Sequence, residues 1–192
     1  AMSPWVDIWA RVFVAFWALC AWLYNSLVRK RLGTENAWSQ IEVQLKRRHD
    51  LIPNLVETVR GYASHEKDTL ERVIQARNAA VEINSASMTE IKQVEDSLSS
   101  ILRQLFALSE NYPELKANEN FVKLHEELAS TENRIGFARQ HFNDSVSWYN
   151  AATEMVPSMW VARLTGFESK EFFELSETER ENAEEAPQVA FQ

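Results

Sequence analysis

Four histidines are the first residues that could do chemistry: His49, His65, His125 and His141. A zinc-protease helix carries two histidines four residues apart, with a glutamate after the first as general base. His65-Glu66 begins that way, but the second ligand position holds Thr69. After His125-Glu126 the same position is Ala129. Di-iron bundles place a glutamate three residues before each histidine ligand. Here those places hold Lys46, Tyr62, Val122 and Ala138, none of them a carboxylate. The histidines therefore read as helix-surface or interhelical hydrogen-bonding residues, and no metal or cofactor is expected. Cys20 is the single cysteine and lies in an apolar run, where a nucleophilic thiolate is disfavoured and no internal disulfide can form. Four glycines cannot supply a phosphate-cradling loop, and no nucleophile elbow G-x-S-x-G occurs. No catalytic residue is expected. An enzyme using Glu and Arg side chains between helices is the one catalytic reading left open. Carboxylates cluster around the last long helix at Glu114, Glu119, Glu126, Glu127 and Glu132, with Glu42 and Asp50 on the first; a facing pair is the one metal-binding alternative, and the missing Glu-x-x-His rejects its di-iron form.

Arg48 is the one charge whose position is unusual. Apolar residues recur at helical spacing at Ala37, Ile41, Leu45, Ile52, Leu55, Val59 and Tyr62, and Arg48 fills the gap in that stripe. A charge at a core position needs a partner. Arg48 is therefore read as a buried structural ion pair with a carboxylate of a neighbouring helix. Composition agrees with a structural protein. The formal net charge is −8, from 20 Lys+Arg against 28 Asp+Glu, which gives no reason to propose nucleic acid as a partner.

The elements that must hold these residues are helices. Only 4 Gly and 5 Pro in 192 residues favour long uninterrupted helices, and no stretch alternates as a strand does. Pro53 removes a backbone donor and predicts a kink near His49 or Asp50. Ser64 reads as the N-cap of a second helix with the stripe Leu70, Val73, Ile74, Arg77, Ala80 and Val81. Asn84-Ser85-Ala86-Ser87 reads as a loop. A third stripe, Ile91, Val94, Leu98, Ile101, Leu105, Leu108 and Tyr112, ends at Pro113. A fourth helix starts near Asn118 and carries Phe121, Leu124, Leu128, Thr131, Ile135, Phe142, Val146 and Tyr149. A short helix is expected at Met159 to Leu164, before Gly166, with FFELS read as one further turn. The fold class is all-α, an up-and-down antiparallel four-helix bundle with long helices. Its first helix extends into an N-terminal transmembrane segment.

That N-terminal segment is VFVAFWALCAWL from Val12 to Leu23, without charge. A span needs roughly 20 mainly apolar residues, which the wider stretch from Trp5 to Val28 supplies. A cleaved signal, a buried core helix and a membrane anchor compete. The absence of a basic leading region and of a small-residue cleavage site weighs against the signal. The anchor is favoured, with Trp5, Trp9, Trp22 and Tyr24 at the membrane interface. Arg29, Lys30 and Arg31 follow directly. By the positive-inside bias they place the body in the cytoplasm and the N-terminus outside. Trp148, Tyr149 and Trp160 are expected at the same interface as a second, peripheral contact across 148–164, against the alternative that they cap the bundle. The expected divisions are an anchor at 1–28 (transmembrane helix about 8–28), a helical bundle at 29–175 and an acidic, mostly extended tail at 176–192.

The motif AWSQIEVQLKRRHDLIPNLVETVRGYASHE at 37–66, YPELKANENFVKLHEELASTENRI at 112–135 and ARQHFNDSVSWYN at 138–150 resemble the LemA family. YNSLV at 24–28 and PQVAF at 187–191 fit the same pattern, so the resemblance covers nearly the whole chain. It implies a protein of the bacterial inner membrane with one N-terminal membrane helix and a cytoplasmic helical bundle. It carries over no established enzymatic activity and no cofactor. It also implies an association with membrane proteolysis or envelope stress, with a membrane protease as a protein partner. The expected function is a non-enzymatic membrane-anchored adaptor or scaffold whose partners are the lipid membrane and other proteins. The alternative is a self-assembling, membrane-organising homo-oligomer.

Overall fold

The structure, a computed structural model, describes residues 4–83 and 87–173. Every regular element among the described residues is a helix. They are α1 (Pro4–Arg60), α2 (Lys67–Glu82), α3 (Met88–Ser109), α4 (Pro113–Lys116), α5 (Glu119–Glu154) and α6 (Ser158–Thr165).

Several boundaries differ from those the sequence predicts. Ser64 does not cap α2. The chain turns at 61–66, and Glu66 stands at the cap position without a side-chain cap bond. The Glu66 carboxylate instead accepts the Tyr112 hydroxyl at 2.9 Å. Ser87, expected in a loop, is the N-cap of α3. Its hydroxyl accepts from the Glu90 amide while the Glu90 carboxylate accepts from the Ser87 amide. α3 ends at Ser109, ahead of the expected stop, and Pro113 instead opens α4 at its first position, where a missing N–H costs nothing. Asn118 caps α5 through the Phe121 amide at 3.0 Å. Gly166 closes α6 at φ 74°, a left-handed conformation that glycine adopts without strain. Phe172 and Phe173 are not helical. The rest of FFELS, residues 84–86 and the expected tail at 176–192 lie outside the described residues.

Pro53 does not end α1. It cannot donate to the carbonyl of His49, four residues earlier. The Arg77 Nε of α2 donates to that oxygen at 3.2 Å. A side chain from another helix thus fills the bond that proline removes.

The chain divides into two compact units. One comprises the residues up to Ile41 with Ala138–Phe172, and the other Glu42–Phe137. In the second, Ile52, Leu55 and Val59 of α1 share a core with Leu70 and Val73 of α2, Leu98 and Leu105 of α3, and Phe121 and Leu128 of α5. Arg77 of α2 meets His49 of α1, and α2 follows α1 after a short turn, so this pair runs antiparallel. Arg72 of α2 meets Gln104 of α3 at 3.3 Å, which sets the same relation for the next pair. Tyr62 accepts from Asn118, and Arg48 reaches Glu132, so this part of α5 runs back along α1.

On α3, Leu98 and Leu105 of the predicted stripe are buried, and Val94 and Ile101 pack half-buried against the same core. Glu95, Ser99, Leu102 and Ser109 are buried as well, so the buried face is wider than the apolar stripe and takes in polar residues, one of which, Glu95, meets a buried cation.

In the other unit, Leu27, Ala37 and Ile41 of α1 and Phe142, Val146 and Tyr149 of α5 are buried. Trp38 meets Phe142 edge-on, with ring centres 5.6 Å apart.

Candidate functional site

Three helices converge on Arg48, which is 1% exposed. Its Nη1 donates to Ser99 Oγ of α3 at 2.7 Å and to Glu132 Oε2 of α5 at 2.6 Å. Its Nη2 donates to the Glu95 carboxylate of α3, also 1% exposed. The other Glu95 oxygen lies 2.9 Å from His49 Nε2. An ionised carboxylate only accepts, so that histidine nitrogen must carry the proton. Ser99 completes the network by donating to Glu132 Oε1 at 3.0 Å. Burial pushes the Glu95 carboxyl up, but the His49 hydrogen bond and the Arg48 charge outweigh it and hold it below its ordinary 4.5. Both carboxylate oxygens are engaged, and the guanidinium is fully faced by acceptors except at Nε, which is buried without a hydrogen-bond partner. With its carboxyl held below the ordinary value and both oxygens engaged by Arg48 and His49, Glu95 is ionised at neutral pH and so does not serve there as a proton donor. The arrangement links α1, α3 and α5 through one buried charge cluster.

Beside it opens a cavity of about 190 Å³. Leu102, Phe106, Leu128 and Ala129 form apolar walls, Arg48, Ser99 and Glu132 a polar floor, and Arg103 and His125 complete the lining. His125 stacks on Phe106 at 4.2 Å between ring centres. Among the described residues no group of three or more His, Cys, Asp or Glu side chains is placed to hold a metal ion.

The interface residues read from the sequence fall in the other unit. Trp5, Trp9, Trp22, Tyr24, Trp148 and Trp160 all stand exposed. Arg29 and Arg31 are exposed and Lys30 is half-buried. The Arg31 guanidinium lies 5.0 Å over the ring of Phe167. Tyr149 requires correction. It is 2% exposed, and its hydroxyl donates to the Glu168 carbonyl at 2.9 Å. It is therefore a core residue of this unit and cannot present its ring to a headgroup layer. Sequence spacing could have separated it from Trp148, since Tyr149 extends the stripe of Phe142 and Val146 and Trp148 does not.

Sequence reasoning missed Glu95 and Ser99, because neither carries an apolar signal and both fall between stripe positions. It also missed the pairing at Lys170. There the Asn150 amide donates to the Lys170 carbonyl at 2.9 Å and accepts from the Lys170 N–H at 2.8 Å. The Lys170 ammonium donates to Thr34 Oγ1 at 2.7 Å.

Together these features define a helical protein whose first helix is long and apolar enough to cross a membrane, and whose buried charges are structural. The pattern of the LemA family matches residues 37–191, and the chain belongs to that family. It is 27% identical over 158 residues to Protein LemA of Metamycoplasma hominis, covering 81% of this chain and 71% of that one. It is also 27% identical over 184 residues to the magnetosome protein MamQ of Magnetospirillum gryphiswaldense, covering 83% and 68%. Magnetosome protein MamQ 2 of Paramagnetospirillum magneticum is 26% identical over 185 residues, covering 84% and 68%.

Proposed function

We propose that this LemA-family chain is a non-enzymatic, single-pass membrane protein that presents a helical bundle as an adaptor or scaffold. The observation that carries this reading is the outer surface of α1. From Trp5 to Trp22 its large apolar side chains stand exposed, and the most apolar window is only 11% buried. Water would not tolerate so continuous an apolar cylinder, whereas lipid would. The cluster Arg29, Lys30 and Arg31 orients it, with the N-terminus outside and the bundle in the cytoplasm of a bacterial inner membrane. The antiparallel pairs α1–α2, α2–α3 and α1–α5 support an up-and-down four-helix arrangement. With its buried charges used in mutual pairing, such a bundle acts through contacts. Family membership supports a link to membrane proteolysis or envelope stress, with a membrane protease among the partners.

Reporter fusions at both termini in a bacterial inner membrane test this reading. A fluorescent cytoplasmic reporter should function at the C-terminus and a periplasmic one at the N-terminus. A C-terminus found outside overturns the location.

A self-assembling homo-oligomer is the second reading. Phe137, 73% exposed on α5, is the observation that favours it. Mass determination in mild detergent distinguishes the two, since an adaptor runs as one chain.

A further inference from the structure

α6 follows a turn at Met155-Val156-Pro157 and is eight residues long. Met159 and Val161 are half-buried, but two of its large apolar side chains are outside. Trp160 and Leu164, four residues apart and so on one face, are 63% and 90% exposed. Met155 and Val156 in the preceding turn are exposed as well, and so is Trp148 near the end of α5. Ala162, on the opposite face of α6, is buried and ties the helix to its unit. Four large apolar groups within ten residues, Met155, Val156, Trp160 and Leu164, are thus left mostly uncovered by the chain.

The segment after α6 fixes its level along α1. Phe167 packs edge-on against Tyr24, with ring centres 5.8 Å apart. The same ring carries the Arg31 guanidinium, and the Glu168 carbonyl is held by Tyr149. Tyr24 is the first residue after the apolar run Val12 to Leu23, and the cationic residues begin five residues further on, at Arg29. α6 therefore stands where an apolar span gives way to its polar flank.

We infer that α6 and the turn before it form a second, peripheral lipid contact, with Met155, Val156, Trp160 and Leu164 entering the headgroup–acyl boundary of the bilayer that α1 crosses. The inference rests on the spanning role proposed for α1. Tryptophan and aliphatic side chains favour this boundary, and Arg163 on α6 is exposed and long enough to reach water or phosphate. Glu154, Glu168 and Glu171 flank the segment and are exposed. They limit its depth and make the contact apolar in character, so it should survive high salt. Two short contacts on one unit, one spanning and one peripheral, would restrict its tilt and rotation about α1.

Nitroxide depth measurement on the full chain tests this. With Cys20→Ser as background, a label is placed at Leu164→Cys in vesicles of phosphatidylcholine and phosphatidylglycerol. Matched labels go at Phe16→Cys, on the outer surface of α1, and at Phe137→Cys, on α5. All three positions are exposed, so the label should not disturb the core. The ratio of oxygen to nickel-chelate collisions should be several-fold higher at 164 than at 137, lower than at 16, and unchanged by molar salt. A label at 164 that behaves as the one at 137, with 16 still in lipid, overturns the peripheral contact and leaves the span intact. A label at 164 shielded from both reagents shows a protein-covered face and overturns it too. A label at 16 that behaves as in water overturns the span and this contact with it.

Discussion

The two units break the rule of apolar inside and polar outside in opposite directions. One buries an arginine and a glutamate at 1% exposure each. The other leaves Trp9, Phe13, Trp17, Trp160 and Leu164 outside. The buried charges come with partners at every polar atom but Arg48 Nε: a serine, a histidine, a second glutamate and a backbone carbonyl within reach. The exposed apolar groups have few partners from the chain. A buried polar cluster satisfied almost throughout by its own protein is a device for fixing structure. A large apolar surface that its own protein leaves uncovered points to something beyond the chain. The contrast explains why chemistry-bearing residue types here lead to architecture, and why residue types without chemistry lead to function.

The sharpest way to break this comparison is to remove one charge of the buried pair. Glu95→Ala leaves Arg48 without its closest counter-charge and should destabilise the bundle by about 3–5 kcal/mol in chemical denaturation. The double variant Arg48→Met with Glu95→Leu removes both charges and should recover most of that loss. If Glu95→Ala unfolds with the parent midpoint, the cluster is not what holds the three helices.

The pH dependence follows from the same carboxyl. Its folded value lies below the ordinary 4.5, so the folded state binds the proton less readily than the unfolded chain does. The stability it contributes is fully present above the ordinary carboxylate range. It is lost as pH falls from that range through the folded value. Glu95→Gln should therefore show a shallower fall in unfolding free energy on acidification than the parent. Equal slopes would refute the assignment.

A smaller effect is expected at the proline bond. Arg77→Met leaves the His49 carbonyl without its donor and should cost about 1–2 kcal/mol. Adding Pro53→Ala restores the helical amide to that oxygen, so the cost of losing Arg77 should shrink in that background. Additive effects in this double-mutant cycle would separate the two residues. Tyr149→Phe is the mildest test and lies in the other unit. It deletes only the hydrogen bond to Glu168, with an expected cost of about 1 kcal/mol and no change in lipid binding. A loss of lipid binding would return Tyr149 to the membrane interface.

Much of the fold is legible in the sequence because helices announce themselves locally. The stripes through Ile52, Leu55 and Val59 and through Phe142, Val146 and Tyr149 are periodic, and the scarcity of glycine and proline sets their length. Arg48 is visible as a charge in such a stripe. Its counterparts are not, because Glu95 and Ser99 are polar residues beside the apolar stripe of α3, and what they meet is a side chain on another helix. The start of α2 is misread for a related reason. Ser64 has the right chemistry for a cap, but the turn at 61–66 carries the chain past it before the helix begins. Trp148 and Tyr149 are neighbours of similar type, and only the helical phase sends one outward and the other inward. Local chemistry names the candidates; the phase of each helix, fixed by distant contacts, sorts them.

Asn150 has a further consequence. Its carboxamide meets both the N–H and the C=O of Lys170, as a second peptide would across a two-stranded ladder. Residues 167–173 have no regular structure, yet one of their amides is secured by a side chain on a helix twenty residues earlier. In hydrogen exchange the Lys170 amide should behave as a protected site amid fast-exchanging neighbours. Asn150→Asp removes the donor half of the clasp, and Asn150→Leu removes both halves. The rate at Lys170 should climb in that order, so a single side chain sets how often this stretch of chain lets go.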